Sequence, residues 1–308
     1  MPEHRAEFDA DVTFLNGGAL QTQGFRLDVA APDVTEADLA AAFVRHLGLL
    51  MVDEVRLSGV RVFEEAHKGS RDAVDPAGSS GASSGRRLVD LNHPIGHGTV
   101  TYPGLPVPEL SAHLTREASQ AVYAEGTTFA IDRITMIGNT GTYLDSPFHR
   151  YEGATDLAGL PLEAVADLPA VVVHLTGANR RGIDVAALAG AGDVAGHAVL
   201  LHTGWDRPWG TEDYGGPAPF LTGDAAQWLV DQGARLVGID SLNIDDASPE
   251  AGGARPAHSA LLAAGIPIVE HLTGLGALPA HGTRFTAAPP RVAGFGTFPT
   301  RAFAAIPA

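Results

Sequence analysis

Apolar runs along this chain fall into two regimes, separated by a stretch that has almost none. In residues 1–71 the runs are short and punctuated by turn residues. Val12 to Leu15 reads as a strand, Asn16-Gly17-Gly18 as a tight turn, and Gly24 to Ala30 as the returning strand. Thr35 to Leu50 has helical spacing, with Thr35 as N-cap and Glu36 and Asp38 favouring the helix N-terminus. Val55-Arg56-Leu57 and Val60-Arg61-Val62 flank Ser58-Gly59 and predict a second hairpin. The product is a small N-terminal α+β unit, β-β-α-β-β, with little core of its own. Such a unit is expected to pack on the rest of the chain or on a second subunit. Residues 72–87 read DAVDPAGSSGASSGRR, dense in Gly and Ser, and predict a flexible linker.

From residue 88 to 308 the pattern is α/β. Ala170 to Leu175, Ala198 to His202 and Leu236 to Asp240 are short apolar runs of the kind that form buried strands. Helices are expected at Leu110 to Gln120, Asp184 to Leu188, Gly223 to Gln232 and Ser259 to Ala264. Composition narrows the class further. The 308 residues are 45% hydrophobic, enough for one large domain or a medium domain with an appendage. The formal net charge of −16 repels phosphate backbones, so no nucleic-acid partner is expected. There is no cysteine, which excludes disulfides, thiolate metal sites and cysteine nucleophiles and fits a cytoplasmic protein. No signal peptide is apparent, and no apolar run approaches a membrane span.

The candidate chemistry gathers in three places. Asn139-Thr140-Gly141-Thr142-Tyr143-Leu144-Asp145-Ser146-Pro147-Phe148-His149 sets a carboxylate and an imidazole in a tight Gly- and Pro-containing stretch. Taken alone, Asp145 and His149 four apart serve structural ends more often than chemical ones. His258 at a helix start and Glu270 after the run Ile266 to Val269 reach one end of a sheet, where ligands bind in α/β folds. One histidine with two carboxylates makes a plausible divalent-metal set, though helix-start and strand-end roles serve equally well. Asp240 and Asp245, in Gly238 to Asp246, favour bonds to surrounding backbone over a place in the site. Tyr102-Pro103-Gly104 and Trp205-Asp206 either contact a planar substrate or simply pack turns. Asp11, His46 and His67 are scattered and read as surface or capping groups. There is no Gly-x-Ser-x-Gly elbow, P-loop or dinucleotide fingerprint.

Together these segments resemble the cyclase family of hydrolases, which includes bacterial kynurenine formamidase and isatin hydrolase. Its motif is His-x-Gly-Thr-His-x-Asp-x-Pro-x-His, and residues 139–149 keep its length and frame. Asp90 to Ile95 with Tyr102-Pro103-Gly104, then Gly238 to Ser241 with Asp245, then His258 with Ile268 to Leu272 match further family segments in order. The resemblance covers residues 88–308 and implies a swivelling β/β/α domain with a central mixed sheet. It also implies a homo-oligomer and two neighbouring ions, usually zinc or manganese. Positions 139, 143 and 145 would serve the first ion, and Asp145, His258 and Glu270 the second. His149 would shuttle protons, and Tyr102 would meet the substrate ring.

Here Asn139 and Tyr143 stand where the family motif has its two ligand histidines. An amide oxygen is a weak ligand, and a phenol must lose a proton with a pKa near 10 to bind well. The first ion is therefore expected to be absent, leaving at most one divalent zinc or manganese ion. The alternative is a metal-free site in which Asp145, His149, His258 and Glu270 form an acid–base cluster, with Tyr143 and Asn139 as hydrogen-bonding groups. The expected activity is hydrolysis of an aryl amide, formamide or lactam of an aromatic or cyclic small molecule. A metal-independent cyclase, dehydratase or lyase of specialised biosynthesis is the alternative. A non-catalytic pocket protein is the least favoured reading, because four acid–base groups stay in frame.

Overall fold

The computed structural model describes residues 3–15, 17–29, 33–47, 49, 51–65 and 86–307. The chain divides into two compact units, Met1–Ser80 and Gly81–Ala308. Residues 72–85 of the expected linker, and His67, lie outside the described residues. Arg86 and Arg87, placed in the linker from the sequence, instead open a strand.

In the first unit β1 (Glu3–Phe14) is the centre of a three-stranded antiparallel sheet between β2 (Ala19–Val29) and β3 (Val52–Glu65). Helix α1 (Glu36–Leu47) begins where expected, with the Thr35 hydroxyl accepting from the Asp38 N–H at 3.2 Å. The second hairpin expected around Ser58-Gly59 does not form. β3 runs through as one strand with a bulge, its register slipping where Glu7 and Asp9 pair with Arg61 and Ser58. Gly59 takes the positive φ of +65° that such a bulge needs. The small unit has a core of its own, in which the rings of Phe8, Phe25 and Phe43 meet at 4.9–5.7 Å.

The second unit is built on a nine-stranded mixed sheet. Its strands are β4 (Arg86–Asp90), β7 (Tyr143–Asp145), β8 (Leu168–His174), β10 (Ala198–His202), β12 (Leu236–Ile239), β13 (Ile268–Glu270), β14 (Thr283–Thr286), β15 (Thr297–Pro299) and β16 (Phe303–Pro307). The spatial order is β15-β7-β13-β12-β10-β8-β14-β16-β4. The four central strands are parallel, and the flanks are antiparallel. Both faces are covered, as parallel strands require. Val199, Leu201, Val237 and Ile239 face a core shared with α3 (Gly223–Asp231) and α4 (Pro256–Ala263). Ala198, Leu200 and Leu236 face the opposite core with Phe285 and Leu272. Outside this sheet, β9 (Gly182–Ile183) pairs with β11 (Phe220–Leu221), and β5 (Glu109–Leu114) with β6 (Ile131–Thr135).

The predicted α/β class and central mixed sheet are therefore present. Two expected helices are not α-helices. Residues 109–114 form β5, because Ile131 to Thr135 offers a β-branched partner strand, with Leu110 opposite Ile134. Only α2 (Arg116–Ser119), capped by Thr115, remains of the expected helix. Val185–Leu188 is a single 3-10 turn capped by Asp184.

Candidate active site

Three neighbouring strands bring the site together through register. On β7, Tyr143 and Asp145 point to one face, while Leu144 points into the core on the other. β13 places Glu270 directly opposite Tyr143, and β15 places Thr297 directly opposite Asp145. Cross-strand partners are a few ångströms apart, so two contacts follow. The Tyr143 hydroxyl donates to Glu270 Oε2 at 2.6 Å, and the Thr297 hydroxyl donates to Asp145 Oδ1.

After Asp145 the chain turns at Ser146 into a short 3-10 turn, Pro147–His149, which brings His149 back beside the carboxylate. His149 Nδ1 lies 2.6 Å from Thr297 Oγ1 and 3.7 Å from Asp145 Oδ1. The Thr297 proton is committed to Asp145, so the imidazole donates from Nδ1 and keeps its Nε2 lone pair. Gly296 is needed here, since a Cβ on it would fall 2.5 Å from the His149 backbone.

His258 arrives on α4 and is oriented by Asp245. The Asp245 carboxylate accepts from His258 Nδ1 at 2.7 Å and from the backbone N–H groups of Ala257 and His258 at 2.6 and 3.0 Å. One carboxylate therefore caps the helix and fixes the ring, so Asp245 joins a structural bond to a place in the site. His258 Nε2 then faces Asp145 Oδ2 at 3.7 Å and Glu270 Oε1 at 3.8 Å. Asp240, by contrast, is structural: it accepts from the Thr203 N–H and hydroxyl and from the Gly204 N–H.

The electrostatics are those of buried charges in contact. Burial works against the Asp145 charge, but His258, His149 and the Thr297 hydroxyl hold its carboxyl below the usual range. Burial raises Glu270 to about 7, with His258 opposing and Asp145 reinforcing the rise. Burial alone would depress His258, but Asp145, Asp245 and Glu270 push it up to about 10. Burial, with the charges of Glu270 and Asp145, pushes the Tyr143 phenol well above its ordinary value, so it is a neutral hydroxyl.

These positions test the two expected ion sites. At the first, the Tyr143 oxygen holds its proton, directs it to Glu270 and meets His271 Nε2 at 3.3 Å. That donor set does not fit a cation. At the second, Asp145 Oδ2 is buried with no hydrogen-bond partner beside His258 Nε2. The protonated His258 ring is the cation beside that oxygen, too far for a normal hydrogen bond, and a metal ion would take its place when Nε2 gives up its proton. Donor atoms of Asp145, His149 and His258 lie within 4.8 Å of one another. This set has His149 where the sequence suggested Glu270, which stands next to it.

Asn139, Tyr143, His149, Arg150, Arg255, His258 and Glu270 line an open cleft of about 360 Å³. Tyr102 is not in its wall. It lies in an adjoining hollow of about 350 Å³ with Pro103, Ala218 and Leu242, and the two hollows share Asn243. Trp205 and Asp206 pack turns, donating to Tyr214 O and accepting from Thr273. In the first unit Asp11 accepts from Gln21 and His46 stands edge-on to Phe25, so neither enters a site. Sequence reasoning did not single out Thr297, His271, Tyr214, Arg150 or Arg255. The only available signal lay in the chain neighbours of His149, Glu270 and His258.

The Cyclase family model matches residues 89–246. A kynurenine formamidase of Bordetella avium is 29% identical over 189 residues, 61% of this chain and 83% of the relative. Among solved structures, isatin hydrolase A from Ralstonia solanacearum superposes with a TM-score of 0.60 at 23% identity, over 72% of this chain and 92% of that one. A protein described as a potential metal-dependent hydrolase with cyclase activity gives a TM-score of 0.58 at 27% identity, over 71% and 98%.

Proposed function

The chain belongs to the cyclase family, and from that premise we propose that it hydrolyses the carbon–nitrogen bond of an aryl formamide, amide or lactam. The observation that carries this reading is the Asp145–Thr297–His149 arrangement at the wall of an open cleft. His149 Nε2 takes a proton from the attacking water and returns it to the leaving nitrogen. Thr297 and Asp145 hold the ring in the tautomer that keeps Nε2 free. Asn139, in the cleft wall, offers its amide N–H to the developing oxyanion. The Tyr143 proton is committed to Glu270, so Tyr143 orients that carboxylate.

Asp145, His258 and Glu270 would hold one divalent ion, zinc or manganese, which when bound would polarise the substrate carbonyl. In that set His149 remains the base. The substrate is an aromatic or cyclic small molecule, and the working form is a cytoplasmic homo-oligomer. Among the described residues no helix is long and apolar enough to cross a membrane. The small N-terminal unit is accessory, and the catalytic domain begins with β4 at Arg86.

The test is turnover of N-formylkynurenine, isatin and formanilide by metal-analysed protein, beside His149→Ala. Turnover lost in the variant is expected, and no turnover of any of the three by metal-replete protein overturns the reading. The neutral, fully donated Tyr143 favours a second reading, a metal-independent cyclase, dehydratase or lyase. Full activity after exhaustive chelation would support that one.

A further inference from the structure

Away from the cleft, two histidines meet at the carboxyl ends of two central parallel strands. His174 ends β8 and His202 ends β10, and the parallel register sets them side by side. Two residues on from Val172 and Leu200, they share the sheet face that those side chains bury. At this end of the strands His174 is exposed and His202 half-buried. The two Nδ1 atoms lie 2.8 Å apart, and the rings stand edge to face. The 3-10 turn Leu275–Ala277 passes close to the other side of the His202 ring. It carries glycine at the contact, where a Cβ on Gly276 would lie 3.1 Å from His202 Cε1 and 3.3 Å from Nε2. Neither histidine lines the cleft, so the pair has no part in the hydrolase reading.

A histidine Nδ1 is usually fixed by a carbonyl or a carboxylate. Here each Nδ1 faces another Nδ1, so one donates a hydrogen and the other offers a lone pair. Burial and the neighbouring His174 lower the His202 pKa, with Arg207 reinforcing and Asp206 opposing, so His202 is neutral at pH 7. Moving the shared hydrogen to the outer Nε2 of its own ring aims two lone pairs at one point. Two imidazole nitrogens, each about 2.0 Å from an ion, lie about 2.8 Å apart at a right angle and about 3.3 Å apart at a tetrahedral one. The observed 2.8 Å is the right-angle spacing, that of neighbouring ligands in the square-planar or tetragonal geometry of copper(II) and nickel(II). We propose that His174 and His202 form a second metal site, a two-imidazole clamp for copper(II) or nickel(II) across the ends of β8 and β10. Among the described residues no third histidine or carboxylate completes the set, so water or an added chelating ligand fills the remaining positions. The ion ties together two strand ends and stabilises the folded chain, which alone brings the two nitrogens together.

Copper(II) titration of the full chain, followed by electron paramagnetic resonance, compares wild type with His174→Gln and His202→Gln. Each variant is expected to lose one copper per chain with nitrogen coupling, or to hold it more than a hundredfold more weakly, since a lost ligand exceeds the 10–100-fold of a lost orienting partner. Asp145→Asn, which alters the cleft, is expected to keep that copper, so the two sites are counted separately. Nickel(II) is expected to raise the Tm of wild type and to leave that of His174→Gln unchanged. His174 is exposed, so His174→Gln carries the test where His202→Gln does not fold. An unchanged copper count and affinity in His174→Gln overturns the proposal. So does loss of the same copper in Asp145→Asn, which would assign it to the cleft. Neither result depends on whether the chain turns over any amide.

Discussion

Replacing Asp245 by alanine removes the acceptor for three donors at once. Two are the N–H groups of Ala257 and His258 in the first turn of α4, and the third is His258 Nδ1. Loss of a helix cap costs about 1 kcal/mol. Removing one partner from a buried ion pair costs about 3–5 kcal/mol, because the other charge stays buried. The two effects act through the same oxygens and do not add, so a loss of about 3–5 kcal/mol is expected. In a unit of this size that lowers Tm by roughly 6–20 °C. The sign of the pH dependence follows from His258, whose pKa is raised from 6.5 to about 10. Its stabilisation is fully present below pH 6.5 and fades as pH rises through 10, so the deficit of the variant is largest at pH 6 and narrows in alkali. The variant also frees the His258 ring, and affinity for zinc is expected to fall about 10–100-fold, as for lost ligand-orienting partners. Thermal melts at pH 6, 8 and 9.5 and zinc competition against a chromophoric chelator read both effects. Asp245→Asn keeps one acceptor oxygen and is expected to lose less. A Tm drop below 2 °C with unchanged zinc affinity would refute the assignment of Asp245 as the group that holds His258.

Tyr143→Phe leaves Glu270 Oε2 without its donor at a cost of about 1–3 kcal/mol, and a variant that melts with the wild type would show that the hydroxyl does not hold Glu270. Asn139→His with Tyr143→His restores both histidines of the family motif, so the bound metal per chain, read by elemental analysis after zinc loading, is expected to rise from one ion to two. A count still at one refutes the view that these two positions decide it. His93 is stacked on Trp209 at 4.0 Å and its Nε2 is buried without a partner, so burial depresses it to about 4. It takes up a proton on unfolding between pH 6.5 and 4, so stability is lost as pH falls through that window. His93→Phe keeps the stack and removes the titration. Relative to wild type it is expected to gain up to about 1.4 kcal/mol per pH unit below 6.5, and parallel denaturation curves for the two proteins at pH 7.5 and 5 would count against this.

What could be read from the chain depended on how local the determining contacts are. The parallel strands β8, β10 and β12 were legible because each is a short apolar run buried on both faces. The helix expected at Gly223 to Gln232 forms as α3, behind a Thr222 cap. Residues 109–114 were misread because their partner, β6, lies some twenty residues on, and strand pairing is decided by that partner. The Ser58-Gly59 bulge was misread for a related reason. A glycine at positive φ marks a turn or a bulge, and only the pairing of β1 with β3 distinguishes them. Asp145, His149, His258 and Glu270 stood out in the sequence because they sit in family-like segments, and the fold brings their side chains close together. Thr297 was not found because a lone threonine has no spacing signal. Its role exists only because β15 sets it opposite Asp145.

The proton positions around Tyr143 explain why losing two histidines need not leave a damaged two-ion site. His271 is buried and, next to His93, its pKa is pressed down to about 3, so the ring is neutral and has one N–H. With Glu270 ionised, the Tyr143 hydrogen lies toward Oε2 at 2.6 Å. The Tyr143 oxygen then accepts, from the Asn139 amide and from His271 Nε2 at 3.3 Å. That leaves His271 Nδ1 without a hydrogen, so it accepts from the Tyr214 hydroxyl at 2.6 Å. The donors run in one direction, Tyr214 to His271 to Tyr143 to Glu270, and every member is buried. A cation beside Tyr143 would face an N–H and a phenol that resists losing its proton, and would have to break this chain. On the other side of Glu270, Asp145 Oδ2 is buried and unpartnered next to His258 Nε2. One half of the site is closed by its own hydrogen bonds, and the other half has an oxygen that only a cation or a proton donor can satisfy. The two halves thus differ in chemistry, and Glu270, touching both, is the residue through which a change in one is felt in the other.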